Sequence, residues 1–197
     1  MVQSFNWPGI KLFFKVIANP NLAQPNLHVK SIDSVQWEKL VKYKNIRAVV
    51  LDKDNTFTLP YALNVHSSLQ EAMNRMIRIF SLDKLAVLSN SAGTLDDVEY
   101  QEAKLVEDNT KLKVIIHNEK KPGGGSSDVL NHFKSLNDDK VNDGSSNTLK
   151  CEEIAMVGDR ILTDIVYGNV NNMYTILVDP IIEKDKNDNI PTIALFS

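Results

Sequence analysis

Residues 49–58 read VVLDKDNTFT, an apolar run that ends in two aspartates one residue apart. The stretch Arg47-Ala48-Val49-Val50-Leu51 lacks polar alternation, which marks a strand buried on both faces of a parallel sheet. Just past it, Asp52 and Asp54 would emerge on the rim where open α/β sheets bind their ligands. Two carboxylates there repel each other unless a cation or reacting group occupies the space between them. The residues alone also admit a plain Asx-type turn that happens to carry two acids.

Outward from this stretch, strand and helix patterns alternate. Strands are expected at Ile46–Leu51, Lys84–Ser89, Lys113–Ile116, Ile154–Val157 and Tyr174–Val178. Helices are expected near Ser67–Phe80, Leu95–Leu105, Ser126–Ser135 and Leu162–Asn169. Such alternation implies βαβ crossovers, hence an α/β fold with a doubly wound parallel sheet. Leu136–Lys150 is rich in Asn, Asp, Ser, Gly and Lys and reads as a surface loop.

The chain has 197 residues, 43% of them hydrophobic and 24% charged, which suits one soluble domain with a full core. A net charge of −3 gives no global attraction to nucleic acid, so no nucleic-acid partner is expected. The lone cysteine, Cys151, excludes an internal disulfide and reads as a small half-buried residue beside a strand.

The first acid is Asp33, whereas Lys11, Lys15 and Lys30 precede it. Pro8 opens an expected helix running to about Asn19, with Ile10, Phe13, Phe14 and Ile17 on one face and Lys11 and Lys15 sharing the opposite edge. It is too short to span a bilayer. It suits either packing on the core or lying in an anionic membrane interface, and the bulk of Phe5, Trp7, Phe13 and Phe14 favours the membrane. The expected division is therefore a docking segment at residues 1–30 and the main α/β domain at 31–197.

Polar residues cluster at the C-terminal ends of four strands: Asp52 to Thr56, Ser89-Asn90-Ser91, Lys120-Lys121-Pro122-Gly123, and Gly158-Asp159-Arg160 with Asp164 beyond. Together they suit phosphoryl transfer. Asp52 and Asp159 could hold Mg²⁺, Ser89 and Lys121 could bind phosphoryl oxygens, and the carboxylate pair could supply a nucleophile and a proton donor. A phospho-accepting receiver domain also pairs strand-end acids with a lysine, but it places its acid pair and its acceptor on different strands. Each element alone occurs in ordinary turns; the ordered set carries the signal.

These motifs resemble the haloacid dehalogenase (HAD) superfamily of aspartyl phosphotransferases: DxDxT at Asp52–Thr56, Ser89, Lys121, and GDxxxxD ending in Asp159 and Asp164. The resemblance implies Asp52 as nucleophile, Asp54 as general acid then base, and Ser89, Asn90 and Lys121 around the phosphoryl group. It implies Mg²⁺ on Asp52, Asp159 and the main-chain carbonyl of Asp54, with Asp164 in support. VVLDKDN, SNSAG, AKLVEDNT, KKPG and VGDRILTDI further resemble the mitochondrial phosphatidylglycerophosphate phosphatase family. Gly124-Gly125-Ser126 and the long Leu136–Lys150 loop depart from that pattern beside the motifs. The family resemblance implies a phospholipid substrate on the cardiolipin pathway, at the matrix face of the mitochondrial inner membrane. Between Thr56 and Leu85 only residues 57–84 are available, so no large cap domain is expected. An open site suits a bilayer-anchored headgroup, and equally a phosphoprotein or soluble ester.

Overall fold

The computed structural model describes residues 14–138 and 148–181. Six short runs rich in Val, Ile, Leu and Ala form strands: β1 Leu27–Val29, β2 Ala48–Leu51, β3 Leu85–Val87, β4 Lys113–Val114, β5 Ile154–Gly158 and β6 Tyr174–Val178. Among the described residues they make one all-parallel sheet in the order β1-β6-β5-β2-β3-β4. The helices are α1 Trp37–Lys44, α2 Gln70–Phe80, α3 Gln101–Thr110, α4 Ser127–Asp138 and α5 Val166–Val170.

The alternation of β2 explains the layers. Val49 and Leu51 share one core with Trp37 and Leu40 of α1, Met73 and Met76 of α2, and Val106 of α3. Ala48 and Val50 share the other with Val129 and Phe133 of α4 and Tyr167 of α5. Crossovers running toward β4 lie on the first face and those running back through β5 to β6 lie on the second, as right-handed connections require. The chain reverses direction around β2, so its C-terminal end lies at the topological switch point.

The five expected strands are present, within about two residues at each end. Two elements differ from expectation by addition. Strand β1 pairs with β6, so Leu27–Val29, grouped with the N-terminal segment by sequence, is an edge strand of the sheet. At three residues it is too short for a periodicity signal. Helix α1 is likewise too short to show a long stripe, and only Trp37 and Leu40 anchor it.

The helix expected over Leu95–Leu105 begins instead at Gln101. The Asp97 carboxylate accepts backbone N–H bonds from Glu102 and Ala103, and so draws the start of α3 past itself. Helix α4 continues to Asp138, three residues into the segment expected to be loop, and residues 139–147 lie outside the described residues. Of the expected N-terminal helix, residues 14–18 are helical; Pro8 to Phe13 lie outside the described residues, as does Ile190–Phe196. No helix among the described residues is long and apolar enough to cross a membrane. Residues 57–84 hold a loop, α2 and short 3₁₀ turns, so no cap domain occupies that interval.

Candidate active site

Register brings the motifs together. Leu51 is level with both Val87 and Val157, the Asp52 N–H donates to the Val157 carbonyl (2.8 Å), and the Leu88 N–H donates to the Leu51 carbonyl (2.9 Å). Asp52, Ser89 and Asp159 therefore leave three adjacent strands at nearly the same height. Asn55, with φ of 59°, turns the chain back just beyond, a conformation that Asn tolerates better than most side chains. The Thr58 hydroxyl and N–H both close on the Lys53 carbonyl, and buried Phe57 pins the loop.

Lys121 is the hub. Its buried Nζ donates to Asp52 Oδ1 and to Asp164 Oδ1, both at 2.7 Å. The loop that carries it is held by Asn90, whose Nδ2 donates to the Lys121 carbonyl (2.9 Å) and whose Oδ1 accepts the Lys121 N–H (2.8 Å). Both polar ends of Asn90, expected to meet substrate, thus engage this backbone. Asp164 stands in a π-type turn over Ile161–Ile165, and its Oδ2 accepts the Arg160 N–H at 3.1 Å. It packs against the backbone of β5: a Cβ added at Gly158 would fall 2.3 Å from Asp164 Oδ2.

Asp52, Asp159 and Asp164 each offer a carboxylate oxygen, all within 4.8 Å of one another. Asp52 Oδ2 and Asp159 Oδ1 are buried without a hydrogen-bond partner. Such orphaned acceptors are expensive to leave bare. Three carboxylates against one buried ammonium leave negative charge uncompensated, and Arg160 approaches only to 3.9 Å from Asp52 and 3.8 Å from Asp159, half-exposed. The electrostatics follow. Burial raises the Asp52 carboxyl above its ordinary range; Lys121 pulls it back and Asp164 adds to the rise. Burial, then the Asp164 and Asp52 charges, push Asp159 up to about 6. Burial alone would lower Lys121, but the two carboxylates outweigh it and hold the ammonium above its usual value. A hard, all-oxygen donor set with excess negative charge fits a divalent cation of the Mg²⁺ type.

Asp54 is not one of the three clustered carboxylates. Its Oδ1 accepts Lys53 Nζ (2.7 Å) and the Tyr61 N–H (2.9 Å), and its side chain stays partly exposed. Ser89 is buried, with its Oγ 3.2 Å from Ser91 Oγ. Ser91 Oγ in turn donates to Glu102 Oε1 at 2.8 Å. Sequence reasoning gave no role to Lys53, Ser91, Glu102 or Arg160. Lys53 carried one usable signal, a lysine between two acids at the exit of an otherwise apolar strand; Glu102 lies on a helix surface pattern that signals nothing.

The family model for mitochondrial PGP phosphatase matches residues 8–182. Phosphatidylglycerophosphate phosphatase 1, chloroplastic, of Chlamydomonas reinhardtii is 37% identical over 91% of this chain and 61% of that protein. The chloroplastic/mitochondrial protein of the same name from Arabidopsis thaliana is 37% identical over 91% of this chain and 47% of its own length. The mitochondrial phosphatidylglycerophosphatase GEP4 of Saccharomyces cerevisiae is 30% identical over 88% of this chain and 86% of that protein. The chain thus spans less than two thirds of the first two relatives and most of the third. A match over nearly the whole chain, with all four motifs inside it, settles the assignment: the chain belongs to the mitochondrial PGP phosphatase family.

Proposed function

We propose that this chain is a Mg²⁺-dependent phosphomonoesterase that removes the terminal phosphate of phosphatidylglycerophosphate, leaving phosphatidylglycerol for cardiolipin synthesis. The observation that carries the reading is the state of Asp52: one oxygen clamped by Lys121, the other buried and unpartnered at the switch point of the sheet.

In this mechanism a carboxylate oxygen of Asp52 attacks phosphorus while the ester P–O bond breaks. Asp54 gives its proton to the departing alkoxide, and the phosphoryl group remains on Asp52. Asp54 then takes a proton from water, whose oxygen attacks phosphorus, releasing inorganic phosphate and regenerating Asp52. Lys121 and the Ser89 hydroxyl bind the phosphoryl oxygens as charge builds on them. Asp52, Asp159 and the Asp54 carbonyl would hold Mg²⁺, which would supply a positive charge to draw electron density from the phosphoryl oxygens. Asp164 holds Lys121 rather than facing substrate.

We place the enzyme on the matrix face of the mitochondrial inner membrane as a peripheral protein. Phe14 and Ile17 are exposed on the helical turn at residues 14–18, with Lys15 beside them, which suits an anionic bilayer surface. Phosphate release from phosphatidylglycerophosphate in mixed micelles, set against soluble phosphomonoesters and a phosphopeptide, tests the reading. Preference for the lipid supports it; preference for the phosphopeptide or a soluble ester replaces it with an uncapped phosphatase of another substrate.

A further inference from the structure

We infer that Lys53, Ser91 and Glu102 form a positioning network that fixes which oxygen of Asp54 carries the transferable proton and which way the Ser89 hydroxyl points. The inference rests on the phosphomonoesterase reading above.

Lys53 stands between the two motif aspartates, and its fully buried side chain brings its Nζ to Asp54. An ammonium has three hydrogens to place. Its Nζ meets Asp54 Oδ1 at 2.7 Å, the Ala62 carbonyl at 3.2 Å and Glu102 Oε1 at 3.7 Å. The Tyr61 N–H also donates to Asp54 Oδ1, at 2.9 Å. Two donors therefore converge on one oxygen. A proton on Oδ1 would have to displace one of them, which leaves Oδ2 as the oxygen that can give a proton. That proton leaves Oδ2 for the alkoxide oxygen as the ester P–O bond breaks, and the alcohol departs neutral.

The same Glu102 Oε1 accepts the Ser91 hydroxyl at 2.8 Å. A carboxylate only accepts, so the Ser91 hydrogen is committed toward Glu102. The Ser91 N–H points at Ser89 Oγ, 3.3 Å away. Ser89 Oγ thus accepts from the backbone and, with the Ser91 hydrogen committed elsewhere, points its own hydrogen at Ser91 Oγ, 3.2 Å away, until a phosphoryl oxygen takes it. One carboxylate oxygen on α3 ties the loop after β2, which holds the acid, to the loop after β3, which holds the phosphoryl donor. None of the three network residues needs to touch the substrate.

The test uses two soluble substrates, an alkyl phosphate and p-nitrophenyl phosphate, whose leaving group needs no proton. Wild-type turnover of both is the control for the underlying reading: absence of any phosphomonoesterase activity fails that reading and not this inference. Lys53→Met should lower kcat on the alkyl phosphate about 10- to 100-fold and on the aryl phosphate less than about threefold, with KM nearly constant. Lys53→Gln, which keeps one donor, should show the same split at smaller size and carries this arm if the Met variant does not fold. Glu102→Ala should lower kcat/KM about 10-fold on both substrates alike, and Glu102→Gln, whose amide oxygen still accepts from Ser91, should recover most of it. Equal losses on both substrates for the Lys53 variants, no loss, or a Glu102→Gln no better than Glu102→Ala would overturn the network.

Discussion

Two buried lysines stand at the rim of the sheet, each beside two carboxylates, and they differ in what surrounds their partners. Lys121 bridges Asp52 and Asp164 at 2.7 Å each, and all three side chains are sealed from water. Lys53 lies 2.7 Å from Asp54 and 3.7 Å from Glu102, whose side chains remain 30% and 37% exposed. A sealed carboxylate depends wholly on its fixed partners, and burial there raises the proton affinity of Asp52. A carboxylate at the water's edge can exchange protons with solvent and with a leaving alcohol. The difference separates a pole suited to gripping a phosphoryl group from a pole suited to moving a proton.

The largest effect expected from breaking the contrast is at the sealed pole. Asp52→Asn replaces the proposed nucleophile with a near-isosteric amide and should lower turnover at least about 10⁴-fold, roughly 5.5 kcal/mol of barrier. The thermal melt should not fall, because the cluster loses one of its excess negative charges. Asp54→Asn should instead cost far more on an alkyl than on an aryl phosphate. Substantial residual activity in Asp52→Asn on any phosphomonoester, measured by phosphate release, would show that the poles are misassigned.

Next comes stability. Lys121→Met strands Asp52 and Asp164 side by side in a dry site, and should cost about 3–5 kcal/mol in metal-free denaturant titrations. Lys53→Met should cost less, about 1–3 kcal/mol, since water can reach Asp54 and Glu102. The ranking is the test. Equal costs would mean that the exposure of the Lys53 partners gives no relief.

How much of this could be read from residues differs between the two poles for a physical reason. The Lys121 pole consists of strand-end residues, and parallel strands in register must deliver Asp52, Ser89 and Asp159 to one rim. Order along the chain therefore sufficed to gather them. The Lys53 pole depends on side-chain reach across loops: Glu102 enters from a helix whose start is set by the Asp97 carboxylate, and Ser91 by a hydroxyl direction. Neither leaves a periodicity. Asn90 sits between the cases, placed at the rim by its motif but turned by tertiary contact onto the Lys121 backbone. Edge strand β1 and helix α1 escaped because two or three anchoring residues make no pattern.

A smaller perturbation sharpens the sealed pole without touching a charged group. Gly158 has no room for a side chain, since an added Cβ would lie 2.3 Å from Asp164 Oδ2 and 2.4 Å from its Cβ. Gly158→Ala should cost about 1–3 kcal/mol and weaken the hold of Asp164 on Lys121, lowering activity on alkyl and aryl phosphates together. A loss confined to the alkyl substrate would show that the strain reaches the proton-moving pole, and the two poles would then not be mechanically separate.

The smallest expected effect is a pH dependence that belongs to one pole alone. Burial first, then the Asp164 and Asp52 charges, push the Asp159 carboxyl up to about 6, against 3.8 for an unperturbed aspartate. The folded chain therefore keeps a proton that the unfolded chain has lost between these values. By linkage Asp159 reduces the stability of the metal-free fold as pH rises through that window, and the full cost stands above about pH 6. In the proposed function Mg²⁺ would need the ionised carboxylate and would offset the cost when bound. The rise in melting temperature on adding Mg²⁺ should be greatest near pH 7–8 and shrink as pH falls through about 6. At a hundredfold excess over its Kd the stabilisation is bounded near 2.7 kcal/mol. Asp159→Asn should flatten this profile, whereas Asp54→Asn, at the other pole, should leave its shape intact. A Mg²⁺ shift that is the same at pH 5 and pH 8, or a profile that follows Asp54 rather than Asp159, would place the metal at the wrong lysine's end of the site.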